Sequence, residues 1–130
     1  MTSVSLWDTR GSEDWDRLRP LSYIAADIFL LCFSVVDPRS FAQVPRKWAP
    51  ELEHSGPPDA EVVLVGTKID LRDTDKAKNH PSSYVSHELG LVMRGTIGAA
   101  AYCECSALTR VGVDNVFQQA MDCASQSGGQ

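Results

Sequence analysis

Three apolar runs, the first two nearly unbroken, constrain the fold of this chain more than anything else in it. They are DIFLLCFSVV (Asp27 to Val36), EVVLVG (Glu61 to Gly66) and AAAYCEC (Ala99 to Cys105). A strand with one wet face alternates apolar and polar residues. The first two runs do not, and they are rich in β-branched and aromatic side chains, which predicts strands buried on both faces, as in a parallel sheet. None approaches the roughly 18 apolar residues of a membrane span. A weaker run, SVSLW (Ser3 to Trp7), does alternate and predicts an edge or half-buried strand.

The segments between the runs have helical spacing. DPRSFAQVPRKWAPELE (Asp37 to Glu53) opens with Asp37 as an N-cap and Pro38 at the first helical position. Phe41, Val44, Trp48 and Leu52 recur every three or four residues and form one apolar face. Pro45 removes a hydrogen bond to the Phe41 carbonyl and predicts a local kink. A second helix is expected over Ser86 to Thr96, with Leu89, Val92, Met93 and Thr96 on one side and Gly95 weakening it by about 1 kcal/mol. A third is GVDNVFQQAMDCAS, with Val113, Val116, Phe117, Ala120, Met121 and Ala124 as its stripe. Strands alternating with helices predict an α/β fold, a mostly parallel sheet flanked by helices. SGPPD (Ser55 to Asp59) and Arg72 to Ser83 read as loops. One domain over residues 1–124 and a flexible tail over 125–130 are expected.

Charge removes one class of partner. The 130 residues carry a net charge of -5, without the basic patch that nucleic-acid binding needs. The start, MTSVSLWDTR, has no basic stretch leading into an apolar one, so no secretory signal is read. Cys32, Cys103, Cys105 and Cys123 form no CxxC pair, and His54, His80 and His87 do not group with them at metal-ligand spacing. Buried thiols in a reducing cytoplasm are the expectation.

Open parallel sheets bind ligands beyond the carboxyl ends of their strands. Three sets of residues fall there: Asp8-Thr9-Arg10-Gly11 after SVSLW, Gly66-Thr67-Lys68-Ile69-Asp70 after EVVLV, and Ser106-Ala107-Leu108 after AAAYCEC. In these motifs the chain resembles a Rho/Rac-type small GTPase of the Ras-like P-loop superfamily. WDTRGSEDWDRLRPLSY is similar to the family's DxxG motif and switch II. GTKIDLRD is similar to its TKxD guanine motif, and ECSAL to its SAL/SAK motif. The resemblance runs from about Ser3 to Met121 and implies GTP or GDP and magnesium as ligands.

Each implied role has a physical reason. Asp70 offers two acceptor oxygens to the N1 and N2 hydrogens of guanine, a pattern adenine cannot match. The Lys68 stem lies along the base with its ammonium outside. Thr67 supports the loop, and the Ala107 backbone N–H donates to guanine O6, with Ser106 and Leu108 completing that motif. Asp8 stands near magnesium through water. Gly11 offers its N–H to a γ-phosphate, where only backbone approaches closely enough. The switch residues Trp15, Arg17, Leu18, Arg19, Leu21 and Tyr23 resemble the surface gripped by exchange factors, GTPase-activating proteins and dissociation inhibitors, so regulators and effectors are the implied partners.

Departures from the family pattern carry as much weight. No GxxxxGK[ST] phosphate loop occurs; Gly90 and Gly95 have the spacing but are followed by Thr96 in a helical pattern. The sequence reads as a partial Ras-like fold, truncated at its N-terminus, without the first strand, phosphate loop, first helix, switch I and second strand. Hydrogen bonds to charged oxygens contribute about 1.5–3 kcal/mol each, so losing three or four costs on the order of 5–10 kcal/mol, roughly four to seven decades of affinity. Ser12 occupies the position of the water-orienting glutamine and is too short for it, and Arg10 crowds a place where a small residue is usual. No catalytic set is therefore read as intact, and GTP binding and hydrolysis are expected to be weak or absent. The segment after TKID is shorter than the Rho-type helical insert, and SQSGGQ carries no prenylation motif, so no membrane anchor is expected. Two alternatives stand beside an impaired switch: a non-enzymatic fragment that binds regulators or effectors, and an inactive product.

Overall fold

A computed structural model describes residues 27–57, 59–72 and 83–128. The expected strand SVSLW, the DxxG motif and the switch residues lie outside the described residues, as does His80. In chain order the described elements are β1 (Ile28–Ser34), α1 (Pro38–Gln43), a π-helical turn (Val44–Trp48), α2 (Ala49–Ser55), β2 (Glu61–Thr67), α3 (Ile69–Arg72), α4 (His87–Ile97), β3 (Ala101–Glu104) and α5 (Val113–Gly128). The three strands form a parallel sheet in the order β1-β2-β3. Leu31 stands opposite Leu64, and Val65 opposite Cys103. The expected α/β architecture is therefore present.

Strand β2 is central, and its Val63, Leu64, Val65 and Gly66 are buried, alternately facing the two sides. On one side Leu31, Phe33, Val35, Val44 and Leu64 form a core, with Phe41, Trp48, Leu52, Met93, Ile97 and Tyr102 packed against it. On the other, Val63, Val65, Cys103 and Val116 pack together, joined by Ile28, Leu30, Cys105 and Cys123. Cys32 differs from the expectation of buried cysteines: it is exposed and belongs to neither cluster. No cysteine forms a disulfide. Burial pushes the thiols of Cys103, Cys105 and Cys123 up.

The long helix after β1 starts as expected. The Asp37 carboxylate accepts from the N–H groups of Arg39 and Ser40, with Pro38 at the first position. Pro45 widens the next turn instead of ending the helix. The Val44 N–H reaches back to the Phe41 carbonyl that Pro45 would have left vacant. The Ala49 N–H then donates to the Val44 carbonyl, five residues back, and α2 continues.

Helix α4 is capped by Ser86, whose hydroxyl accepts from the Leu89 N–H, and closed by Gly98 at φ +72°. Its buried side corrects the sequence reading. Leu89 is 49% exposed and Val92 66%. Gly90 is buried instead, and Met93 and Ile97 join the core. Tyr102 explains the rotation. Its ring occupies the space where a side chain at position 90 would stand, so the helix packs down on its Gly90–Met93–Ile97 line. Helix α5 buries Val116 and leaves Met121 exposed, and it runs to Gly128, through the first residues of the expected tail. Among the described residues, no helix is long and apolar enough to cross a membrane.

Candidate functional site

Because β2 and β3 are parallel neighbours, their carboxyl ends lie at the same edge of the sheet. The loops that follow, with Lys68 to Asp70 after β2 and Ser106 to Gly112 after β3, are therefore brought together. Backbone hydrogen bonds stitch them: the Cys105 N–H donates to the Gly66 carbonyl at 2.9 Å, and the Ile69 N–H to the Cys105 carbonyl at 3.3 Å. Thr67 ties the same edge to β1. Its hydroxyl donates to the Phe33 carbonyl at 3.1 Å, and its carbonyl accepts from the Val35 N–H at 3.0 Å.

Lys68 then turns the chain sharply. It adopts φ +64°, a left-handed conformation that costs a non-glycine residue about 1–3 kcal/mol. The turn leaves the Lys68 side chain exposed and starts the one-turn helix α3, on which Asp70 sits. The Ser106 hydroxyl donates to Asp70 Oδ1 at 2.7 Å. Ser106 is fully buried, accepts from the Thr109 N–H at 3.1 Å, and donates its own N–H to the Val111 carbonyl at 2.9 Å. Every hydrogen-bonding group of Ser106 that these contacts use points to a fixed partner, so one Asp70 oxygen is held by a rigid loop.

Ala107 and Leu108 form the tip of that loop, Leu108 at 82% exposure. The loop then returns to the strand. Gly112, at φ +78°, lies so close to the end of β3 that a Cβ there would meet the Glu104 carbonyl oxygen at 2.2 Å. Only glycine fits both the angle and the approach. The described members of the expected site, Thr67, Lys68, Asp70, Ser106, Ala107 and Leu108, thus share one edge. Asp8, Gly11, Ser12, Trp15, Arg17, Leu18, Arg19, Leu21 and Tyr23 lie outside the described residues. Among the described residues, no group of three or more His, Cys, Asp or Glu side chains is placed to hold a metal ion.

A charged cluster that sequence reasoning missed lies directly behind these loops. Arg72, on α3, forms a two-pronged pair with Glu104, on β3, with both N–O distances 2.8 Å. The Tyr102 hydroxyl donates to Glu104 Oε2 at 2.6 Å, and His87 Nδ1 lies 3.1 Å from Oε1. The side chains of Arg72 and Glu104 are only 12% and 10% exposed. Burial works against charge on Glu104, but the Arg72 fork, the Tyr102 hydroxyl and His87 outweigh it and hold the carboxyl at about 2. Tyr102 moves the other way: burial and its donation to the Glu104 carboxylate push the phenol up. The sequence offered little sign of this cluster beyond the charges of Arg72 and Glu104 within the GTKIDLRD and ECSAL strings.

A comparison with protein families agrees with the arrangement of motifs. The family model described as Ras family matches residues 1–126. The chain belongs to the Ras family.

Proposed function

From membership of the Ras family we propose that this chain is a Rho-type guanine-nucleotide-binding protein whose base-recognition loops are built and whose phosphate chemistry is impaired. The reading is supported chiefly by the 2.7 Å bond from Ser106 to Asp70. It joins the TKID and ECSAL motifs at one sheet edge and leaves Asp70 with Oδ2 and the remaining lone pair of Oδ1 for the paired N–H groups of guanine. Lys68, exposed beside it, supplies an aliphatic stem for the base face, and the Ala107 N–H supplies a donor for O6. The impairment rests on the residues themselves: the 130 residues contain no GxxxxGK[ST] sequence, and Ser12 stands where a water-orienting glutamine would be needed. Regulators and effectors of Rho-type proteins are the partners this reading assigns, through Trp15, Arg17, Leu18, Arg19, Leu21 and Tyr23.

Titration of the purified chain with a fluorescent GDP analogue in the presence of magnesium tests the proposal. Binding weaker than roughly 10 μM is expected, since several phosphate contacts at about 1.5–3 kcal/mol each are lost. Submicromolar binding would overturn the impairment. Equal affinity for GDP and ADP would overturn the base-recognition half.

A further inference from the structure

Four donor atoms converge on the Glu104 carboxylate: both outer nitrogens of Arg72, the Tyr102 hydroxyl and His87 Nδ1. A buried ion pair is weak grounds for stability, because desolvating two charges offsets much of their attraction. Its geometry is more informative. A guanidinium fork on a carboxylate fixes both separation and rotation.

We infer that Glu104 is a positioning residue for guanine recognition, acting through Arg72 on Asp70 and through β3 on Ser106. The inference rests on the base-recognition reading above. Arg72 and Asp70 share the single turn of α3, so rotation of that turn moves both. Glu104 precedes Ser106 by two residues where β3 ends. The Arg72–Glu104 fork thus locks the same two segments that the Ser106–Asp70 bond joins, one step further from solvent. Arg72 also donates to the Val85 carbonyl at 3.2 Å, anchoring α3 to the chain that enters α4. His87, in the first turn of α4, closes on the same carboxylate. Tyr102 keeps the carboxylate from turning. Its ring fills the space over Gly66 and Gly90, and its ring plane lies 9° from that of Phe33 at a centroid separation of 6.2 Å.

The test uses the full chain, labelled with nitrogen-15, and two nucleosides without phosphates, guanosine and adenosine. Dissociation constants are read from amide shifts of the folded protein, and urea unfolding is recorded in parallel. Wild type is expected to prefer guanosine. Glu104→Gln and Arg72→Lys are expected to raise the guanosine constant at least tenfold and to leave the adenosine constant unchanged. Glu104→Asp, which keeps the charge, is expected to restore part of the preference. Should Glu104→Gln fail to fold, Arg72→Lys and Glu104→Asp carry the same comparison. A purely structural pair would lower the urea midpoint while the guanosine constant of the folded protein stayed within twofold of wild type, and that result would overturn the inference but not the base-recognition reading. Wild type that failed to distinguish the two nucleosides would overturn both.

Discussion

Two glycines five residues apart on α4 should respond to the same substitution with opposite signs. Gly95→Ala places a methyl group where, beyond its chain neighbours and the helix's own backbone, no atom lies within 4 Å. The position is exposed and interior to the helix, so the change gains about 0.5–1 kcal/mol of helix propensity and unfolded-state entropy. Gly90→Ala gains the same propensity but puts its Cβ 2.1 Å from Tyr102 Cζ and 2.4 Å from Cε2 and the hydroxyl oxygen. The ring has nowhere to go. Its hydroxyl is bonded to Glu104, and it already lies against Gly66, where a Cβ would stand 2.6 Å from the same oxygen. Overpacking costs about 1–3 kcal/mol, and loss of a hydrogen bond to a charged group about 1.5–3 kcal/mol. Against a gain of about 1 kcal/mol, Gly90→Ala should destabilise by about 1.5–5 kcal/mol.

Urea unfolding of the full chain, followed by circular dichroism, measures both. A cycle with Tyr102→Leu isolates the cause, because removing the ring should leave Gly90→Ala with only its propensity gain of about 0.5–1 kcal/mol. If Gly90→Ala stabilises the wild-type background as Gly95→Ala does, the account of how α4 is rotated on the sheet is wrong.

Two further outcomes follow from the site. Glu104 is held at about 2 against an ordinary 4.5, so its contribution is complete above about pH 5 and is lost as the pH falls through 4.5 towards 2. The shift corresponds to about 3 kcal/mol, and Glu104→Gln should flatten the urea midpoint between pH 6 and pH 3 relative to wild type; parallel profiles would contradict the assignment. Ser106→Ala should destabilise by about 1–3 kcal/mol, since it leaves the Thr109 N–H and one Asp70 oxygen without their partner. The same urea titration checks it, and a change below about 0.5 kcal/mol would show that water replaces the hydroxyl at no cost.

Strands β1 and β2 were legible because their apolar runs are nearly continuous, and such a run is buried on both faces, between two layers of other residues. The start of α1 was legible because Asp37 and Pro38 solve a local problem with local atoms. The buried side of α4 was not. Leu89, Val92, Met93 and Thr96 make as good a helical stripe as Gly90, Met93 and Ile97, and the choice is made by Tyr102, distant in sequence. Likewise, Pro45 announces a disturbance, while the π turn that accommodates it depends on packing of Val44 and Trp48 against the core. At the site, the motifs disclosed which residues meet. They could not disclose the pair behind them, because Arg72 and Glu104 read singly as ordinary surface charges and only the register of β3 beside β2 brings them together.

That register has a consequence for how recognition and affinity separate. The TKID and ECSAL loops leave adjacent strands, β2 and β3, and are tied by bonds that run between those loops or back to those strands. Their mutual geometry therefore depends on the β2–β3 half of the sheet. In the reading proposed above, phosphate and magnesium contacts would come from Asp8 and Gly11, at the other end of the sequence. Loss of phosphate contacts lowers the free energy of binding for GDP and ADP alike, whereas the Asp70 carboxylate acts on the difference between them. A chain that holds nucleotide weakly should accordingly keep its preference for guanine, because in that reading the two quantities are set by different residues.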